Sequence, residues 1–139
     1  MHYEVSLTIR APRDKTYAAY TDFESVPKWS GGAKSVTVLE RQGNTVRLEN
    51  VSAGGGKSVR EMKLFPPQRV EYGGETRVTK TLSAVKFRVV PDGTEVTASL
   101  DVEFKGRWGW IMKAQGKAQA EASALRELTS FGKYVESLP

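Results

Sequence analysis

The sequence predicts an α+β fold in which a curved antiparallel sheet of about seven strands wraps around a long carboxy-terminal helix. Three observations lead to this prediction. One strand opens the chain, a run of strand-like segments follows two short helical ones, and the stretch from Trp108 to Leu138 has helical periodicity. The apolar face of the strands needs cover, and only the last helix is long enough to provide it. Sheet and helix must therefore pack against each other.

The opening strand and the two short helical segments follow from local patterns. Between residues 3 and 9, apolar side chains occupy every second position, which is typical of a half-buried strand. Pro12 suits the start of a helix that we predict over residues 13–21. A second helical segment follows, which Pro27 limits to a turn or two and Gly31–Gly32 stops.

Turn signals divide the middle of the chain into six strands. Glycine, proline, asparagine and aspartate mark the positions where a tight turn can form. These are residues 42–44, 54–56, 66–67, 73–74 and 91–94, the last of which reads PDGT. Each turn joins two neighbouring strands, which favours an antiparallel sheet.

The fifth of these six strands changes phase along its length. Its apolar positions run through Leu82 and Ala84 and then switch to Val85 and Phe87. Because alternate residues of a strand face opposite sides of a sheet, we expect a bulge near residues 83–85 that restores the register and bends the strand.

Apolar side chains recur at steps of three and four in the last segment, as in an amphipathic helix. The residues of this predicted stripe are Ile111, Ala114, Ala118, Leu125, Leu128, Phe131, Val135 and Leu138. Ala114, Ala118 and Ala122 lie on or beside the stripe, where leucine would fill the interior. They either allow close helix–sheet contact or leave open volume for a ligand.

Composition excludes several classes of function. The 139 residues suit one domain over residues 1–139, and the absence of cysteine excludes disulfides, thiolate zinc sites and cysteine nucleophiles. His2 is the one histidine, so a Ser-His-Asp triad and a multi-histidine metal site are not expected. We expect no metal and no cofactor.

The formal net charge of +5 could attract nucleic acid or an anionic membrane, but the 21 lysines and arginines are scattered along the chain. We therefore expect a mildly basic surface, no specific nucleic-acid partner, and a monomer or homodimer; transient contact with a membrane surface stays open. No apolar stretch approaches the ~20 residues that cross a bilayer. A cytoplasmic location fits the lack of cysteine.

The sequence SAGGGKSV, residues 52–59, resembles the end of a phosphate-binding loop. The full motif G-x-x-x-x-G-K-[ST] needs glycine where this chain has Val51, and a helix after Ser58, where the sequence is strand-like. We therefore predict a turn between antiparallel strands. Gly54–Gly56 either only connects these strands or forms the mobile rim of a cavity.

Residues 5–41 resemble the opening of polyketide cyclase and dehydrase-like proteins. These proteins have an I-x-A-P step, a helix with aromatic residues, and then D-F-E-x-x-P-x-W and V-x-S-V-x-V-L. The matching residues are Ile9, Ala11, Pro12, Tyr17, Asp22, Phe23, Glu24, Pro27, Trp29, Ser35, Val36, Val38 and Leu39. The order of elements over the whole chain is similar to the helix-grip fold of the START-like, or SRPBCC, superfamily.

This resemblance implies an elongated apolar cavity between the sheet and the long helix, which holds a lipid, polyketide, isoprenoid or other hydrophobic ligand. Candidate ligand-binding residues come from strand and helix positions that would face such a cavity. They are Trp29, Arg60, Met62, Leu64, Tyr72, Leu82, Phe87, Leu100, Phe104, Trp108, Met112 and Gln115.

Several of these residues also have a purely structural interpretation. Trp108 and Trp110 either pack against the first helices or act as a cavity gate or lipid-interface anchor. Trp29 either closes the core or lines the cavity mouth. Arg60 shares a strand face with Met62, and burial of its charge would be costly without an anionic partner. It either binds a ligand carboxylate or phosphate or lies in solvent at the strand end.

Three functions remain open at this point. The favoured one is binding or transport of a hydrophobic small molecule or lipid. The second is a polyketide cyclase or aromatase-like enzyme that acts by shaping a reactive chain, for which we predict no catalytic residue. The third is an interaction protein that uses its basic surface and has a vestigial cavity.

Overall fold

The strands form one seven-stranded antiparallel sheet in the computed structural model, which describes residues 2–75, 79–105 and 109–139, the side chains of 109–115 excepted. The strands are β1 His2–Ile9, β2 Ala33–Gln42, β3 Thr45–Ser52, β4 Lys57–Phe65, β5 Arg69–Glu75, β6 Thr79–Val90 and β7 Gly93–Phe104. Helix α1 spans Arg13–Thr21, a 3-10 turn spans Phe23–Lys28, and helix α2 spans Gly109–Ser137. The predicted fold class is confirmed.

The order of strands across the sheet is β1-β7-β6-β5-β4-β3-β2. Consecutive strands from β2 to β7 pair as hairpins, and β1 pairs with β7. The β6–β7 turn is tight because Gly93 has a φ of 144°. A side chain at Gly93 would collide with the backbone carbonyl of Ile9, so glycine is needed where β7 passes the end of β1.

The inner face of the sheet is the face that α1 and α2 cover. The core residues of the sheet belong to it, and their cross-strand partners share this face. One row across the sheet consists of Val5, Ala98, Val85, Val70 and Leu64. This row is apolar, and three of its members are buried.

The expected bulge near residues 83–85 is wrong. Strand β6 pairs with β7 in continuous register from Thr79 to Val90, and register shifts occur instead between β2 and β3. Without a bulge, Val85 and Phe87 set the phase of β6, so Leu82 lies on the outer face and Ser83 on the inner face.

Helix α2 packs on β1 and β7 and touches α1. Its buried residues in the carboxy-terminal half are Leu128, Phe131, Gly132 and Val135. The predicted stripe is wrong in the preceding turns, since Ala118 is exposed and Leu125 is 44% exposed. The predicted positions Ile111 and Ala114 lie outside the described side chains.

One side chain of the 3-10 turn connects it to the sheet. The backbone N–H of Val38 donates a 3.1 Å hydrogen bond to Oε2 of Glu24. Strand β2 is an edge strand, whose outer backbone groups otherwise have no strand partner. Glu24 therefore ties the 3-10 turn to the sheet edge.

Candidate ligand-binding cleft

The inner face of the sheet becomes polar next to its apolar row. The adjacent row consists of Tyr3, Leu100, Ser83, Tyr72 and Met62. Met62 is buried, whereas the other four side chains keep partial exposure although α2 lies on this side of the sheet. The sheet therefore presents two phenols and one hydroxyl in a single line.

Arg60 lies one row further along β4. Its guanidinium carbon is 5.5 Å from the centre of the Tyr72 ring, a cation–π distance, and the side chain is exposed. Arg60 forms no ion pair with any residue that the structure describes. Its charge is therefore held at the edge of the tyrosine row without a protein counter-ion on this wall.

Tyr20 reaches the same region from α1. Its ring packs edge-on against Phe87 and Phe131, with ring centres 5.6 and 5.5 Å away, and lies 6.1 Å from Trp29. Burial raises the pKa of the Tyr20 phenol well above its ordinary value, and Tyr72 raises it further. The charge of Arg60 lowers this pKa in part.

Helix α2 contributes two carboxylates to the opposite wall. Burial is the main cause of the raised pKa of both Tyr3 and Tyr20; Glu121 adds a smaller increase to the pKa of Tyr3, and Glu127 to that of Tyr20. Glu121 also lies 3.9 Å from Nζ of Lys117 one turn earlier. The neighbouring half-buried positions of α2 carry small residues: Ala124 lies between the two acids in sequence, and Ala120 directly precedes Glu121.

We call the region formed by Tyr3, Tyr20, Arg60, Tyr72 and Ser83 the polar end of the cleft. The hydroxyls of its three tyrosines and of Ser83 make no hydrogen bond to another residue that the structure describes. Polar groups in such a partly enclosed place need partners. The polar end is therefore chemically suited to bind a polar group of a ligand.

Comparison with known proteins places the chain in a family. The family model described as polyketide cyclase / dehydrase and lipid transport matches residues 1–136. The chain belongs to this family. No curated protein is significantly similar to it in sequence.

Several solved structures superpose on nearly the whole chain. TTHA0849 from Thermus thermophilus has a TM-score of 0.81 at 19% identity, covering 99% of this chain and 98% of its own. The Zhui aromatase/cyclase from Streptomyces sp. R1128 has 0.78 at 15%, with 98% and 93% covered. A START superfamily protein from Mycobacterium smegmatis has 0.67 at 19%, with 99% of each covered. The START-like resemblance is confirmed, and these likenesses concern the fold.

The predicted ligand-binding residues of this family member differ in burial and in the face of the sheet on which they lie. Met62, Leu64 and Phe87 belong to the buried core, while Trp29, Tyr72, Leu100 and Phe104 are half-buried. The placement of Leu82 in the lining is wrong, because it lies on the outer face and is 53% exposed. Trp108 and the side chains of Met112 and Gln115 lie outside the described residues. Whether the remaining residues bind a ligand stays a prediction.

Trp29 joins the core to the cleft. Its ring centre is 4.9 Å from that of Phe131 on α2, so it helps to hold the helix against the 3-10 turn. Its Nε1 is buried and has no hydrogen-bond partner among the described residues. Packing therefore explains the position of the ring, whereas the indole N–H lacks a hydrogen-bond acceptor among the described residues.

Sequence reasoning missed Tyr3, Tyr20, Glu121 and Glu127. A signal existed for Tyr3, which shares the inward phase of β1 with Ile9. A second signal existed for Glu121, because steps of three and four back from Leu138 pass through the buried face of α2 and arrive at this residue. The sequence places Tyr20 on the apolar face of the predicted first helix and Glu127 four residues before Phe131. It does not show that the two approach the sheet together, because that depends on how the helices pack.

The glycine triplet forms a tight turn, as predicted. Strands β3 and β4 pair on either side of it, and the backbone N–H groups of Ser52 and Gly55 donate to the carbonyls of Gly56 and Ser52. Gly55 has a φ of 92°. These two backbone amides of the turn are thus used within it, unlike those of a phosphate-binding loop.

The described residues contain neither a candidate metal site nor a helix that could span a membrane. Among the described residues, no group of three or more histidine, aspartate or glutamate side chains is arranged to hold a metal ion. None of the helices described is long and apolar enough to cross a membrane.

Proposed function

We propose that this protein binds or transports a hydrophobic small molecule or lipid in the cleft between the inner face of the sheet and α2. The family description, polyketide cyclase / dehydrase and lipid transport, supports a ligand of this kind. We propose further that residues 1–139 act as one ligand-binding domain, since the seven strands join a single sheet.

One observation carries the proposal. Large inner-face side chains such as Tyr3, Tyr72 and Leu100 remain partly exposed beneath a helix that offers them mainly small residues, Ala120 and Ala124. Protein interiors are normally packed without such gaps. An apolar space with a few convergent polar groups is the usual character of a small-molecule site.

Native mass spectrometry of gently purified protein tests this proposal. We expect a bound hydrophobic species that dissociates on denaturation. Ala124→Phe would fill the cleft and abolish binding, whereas Ala118→Phe adds the same ring to an exposed helix position and leaves binding intact. Ligand-free protein, or equal binding by the two folded variants, would contradict the proposal.

A cyclase or dehydrase-type reaction is a second candidate. The observation that favours it is the placement of Tyr20, a buried phenol whose pKa is lowered by the cation of Arg60 and raised by the carboxylate of Glu127. Such a phenol can hold or donate a proton beside a reacting carbonyl. Incubation with a poly-β-ketone mimic, followed by mass spectrometry, should give a cyclised product that Tyr20→Phe reduces; an unchanged substrate would rule this candidate out.

A further inference from the structure

The positive charge of Arg60 is unbalanced on its own wall of the cleft. Its cross-strand partner on β3 is Leu48, and its same-face neighbours along β4 are Ser58 and Met62, all uncharged. The nearest acids in sequence, Glu49 and Glu61, alternate to the outer face. The guanidinium therefore faces the cleft with a cation–π contact to Tyr72 and no ion pair to a described residue.

The hydroxyls around this charge add hydrogen-bond donors. Tyr20, Tyr72 and Ser83 each bring an O–H that the described residues leave unbonded. A guanidinium with several hydroxyl donors suits an anionic oxygen group, which it can bind in bidentate geometry.

The opposite wall limits how much negative charge the cleft accepts. Glu127 and Arg60 both act electrostatically on Tyr20, so both charges lie near the polar end of the cleft. Because the charges of Arg60 and Glu127 offset each other, every negative charge that a ligand adds is left uncompensated, and a dianion such as a phosphate monoester binds less favourably than a monoanion. A monoanion is the better match.

From these observations we infer that the ligand is an amphiphile with one carboxylate. The carboxylate binds Arg60 and the hydroxyls at the polar end, and the apolar part extends along the half-buried Leu100 beneath Ala120 and Ala124. This inference rests on the proposed function and specifies which hydrophobic ligands the cleft selects.

Isothermal titration with dodecanoate and 1-dodecanol tests the inference, since the two probes share a chain and differ in the head group. We expect dodecanoate to bind more tightly than the alcohol by about tenfold, the value of a charge-assisted hydrogen-bond pair. Arg60→Gln should remove this preference by weakening binding of dodecanoate more than binding of the alcohol. Glu127→Gln should strengthen binding of dodecanoate by about threefold, because it removes the opposing charge.

Arg47→Gln is the matched control, because Arg47 lies on the outer face of the neighbouring strand β3 and loses the same charge. Equal binding of the two probes to the unmodified protein, or an equal effect of Arg60→Gln and Arg47→Gln, would overturn the carboxylate assignment and leave the proposed function standing. Failure of both probes to bind would count against both.

Discussion

At the residue scale, Tyr20 shows how packing changes the acidity of one group. Its ring contacts Phe87, Phe131 and Trp29, so the phenol is enclosed by aromatic side chains from three parts of the chain. Burial disfavours the phenolate, and this effect outweighs the opposite one of Arg60. The folded protein therefore keeps the Tyr20 proton at a pH at which the unfolded chain releases it.

Stability should consequently fall at high pH. Above about pH 10 the unfolded chain binds fewer protons at this site than the folded one, so the free energy of unfolding decreases by up to about 1.4 kcal/mol per pH unit until Tyr20 itself titrates. Urea unfolding from neutral to alkaline pH measures the decrease. Tyr20→Phe should flatten this alkaline decrease relative to the unmodified protein; an unchanged slope would show that Tyr20 is not its source.

At the element scale, the two halves of α2 pack differently. A Cβ added at Gly132 would lie 3.3 Å from Cδ2 of Leu7 and from Cγ1 of Ile9, so the helix there touches β1 closely. At Gly116 an added Cβ would meet nothing within 4 Å. Glycine is thus needed for close packing at position 132, in the carboxy-terminal half of α2, but not at position 116 in the amino-terminal half.

This contrast predicts opposite effects of substitution in one helix. Gly132→Val should destabilise the protein by about 1–3 kcal/mol, because it overpacks the contact with β1. Gly116→Ala should stabilise it by about 0.5–1 kcal/mol, because alanine is the better helix former and has room. Chemical denaturation measures both changes. A similar shift of the two variants in the same direction would contradict the packing described.

The elements also show which parts of the fold the sequence could predict. Helix α1 and most hairpin turns were predictable because proline and glycine act locally, as at Pro12 and Gly93. The predicted turn at residues 73–74 is wrong, because both glycines lie within β5 and pair with residues of β6. The phase of β6 was not predictable, because the buried Val85 and Phe87 fix it in continuous register, which places Ser83 inward and Leu82 outward against the hydrophobic pattern. Tertiary packing and the candidate site, rather than local propensity, decide such positions.

At the scale of the whole molecule, the inner face of the sheet changes from closely packed apolar rows to the less tightly covered polar end of the cleft. Leu128, Phe131 and Val135 cover the apolar rows, whereas the preceding turns of α2 lie over the tyrosine row with small side chains. Arg60 and Tyr72 could be predicted as members of the site because strand alternation carries them inward. Tyr20 and Glu127 could not, because their meeting depends on the packing of α1 and α2 against a sheet assembled from distant segments.

This gradient predicts unequal protection of backbone amides along α2. Both halves make the same helical hydrogen bonds, but local opening costs more where buried side chains anchor the helix. In hydrogen-exchange mass spectrometry, residues 128–137 should therefore exchange more slowly than residues 116–124. Gly132→Val, which disturbs the anchored half, should reduce this difference, while Gly116→Ala should preserve it. Equal exchange of the two segments in the unmodified protein would mean that the sheet anchors the helix along its whole described length, and the cleft would then have no loosely covered end for a ligand to enter.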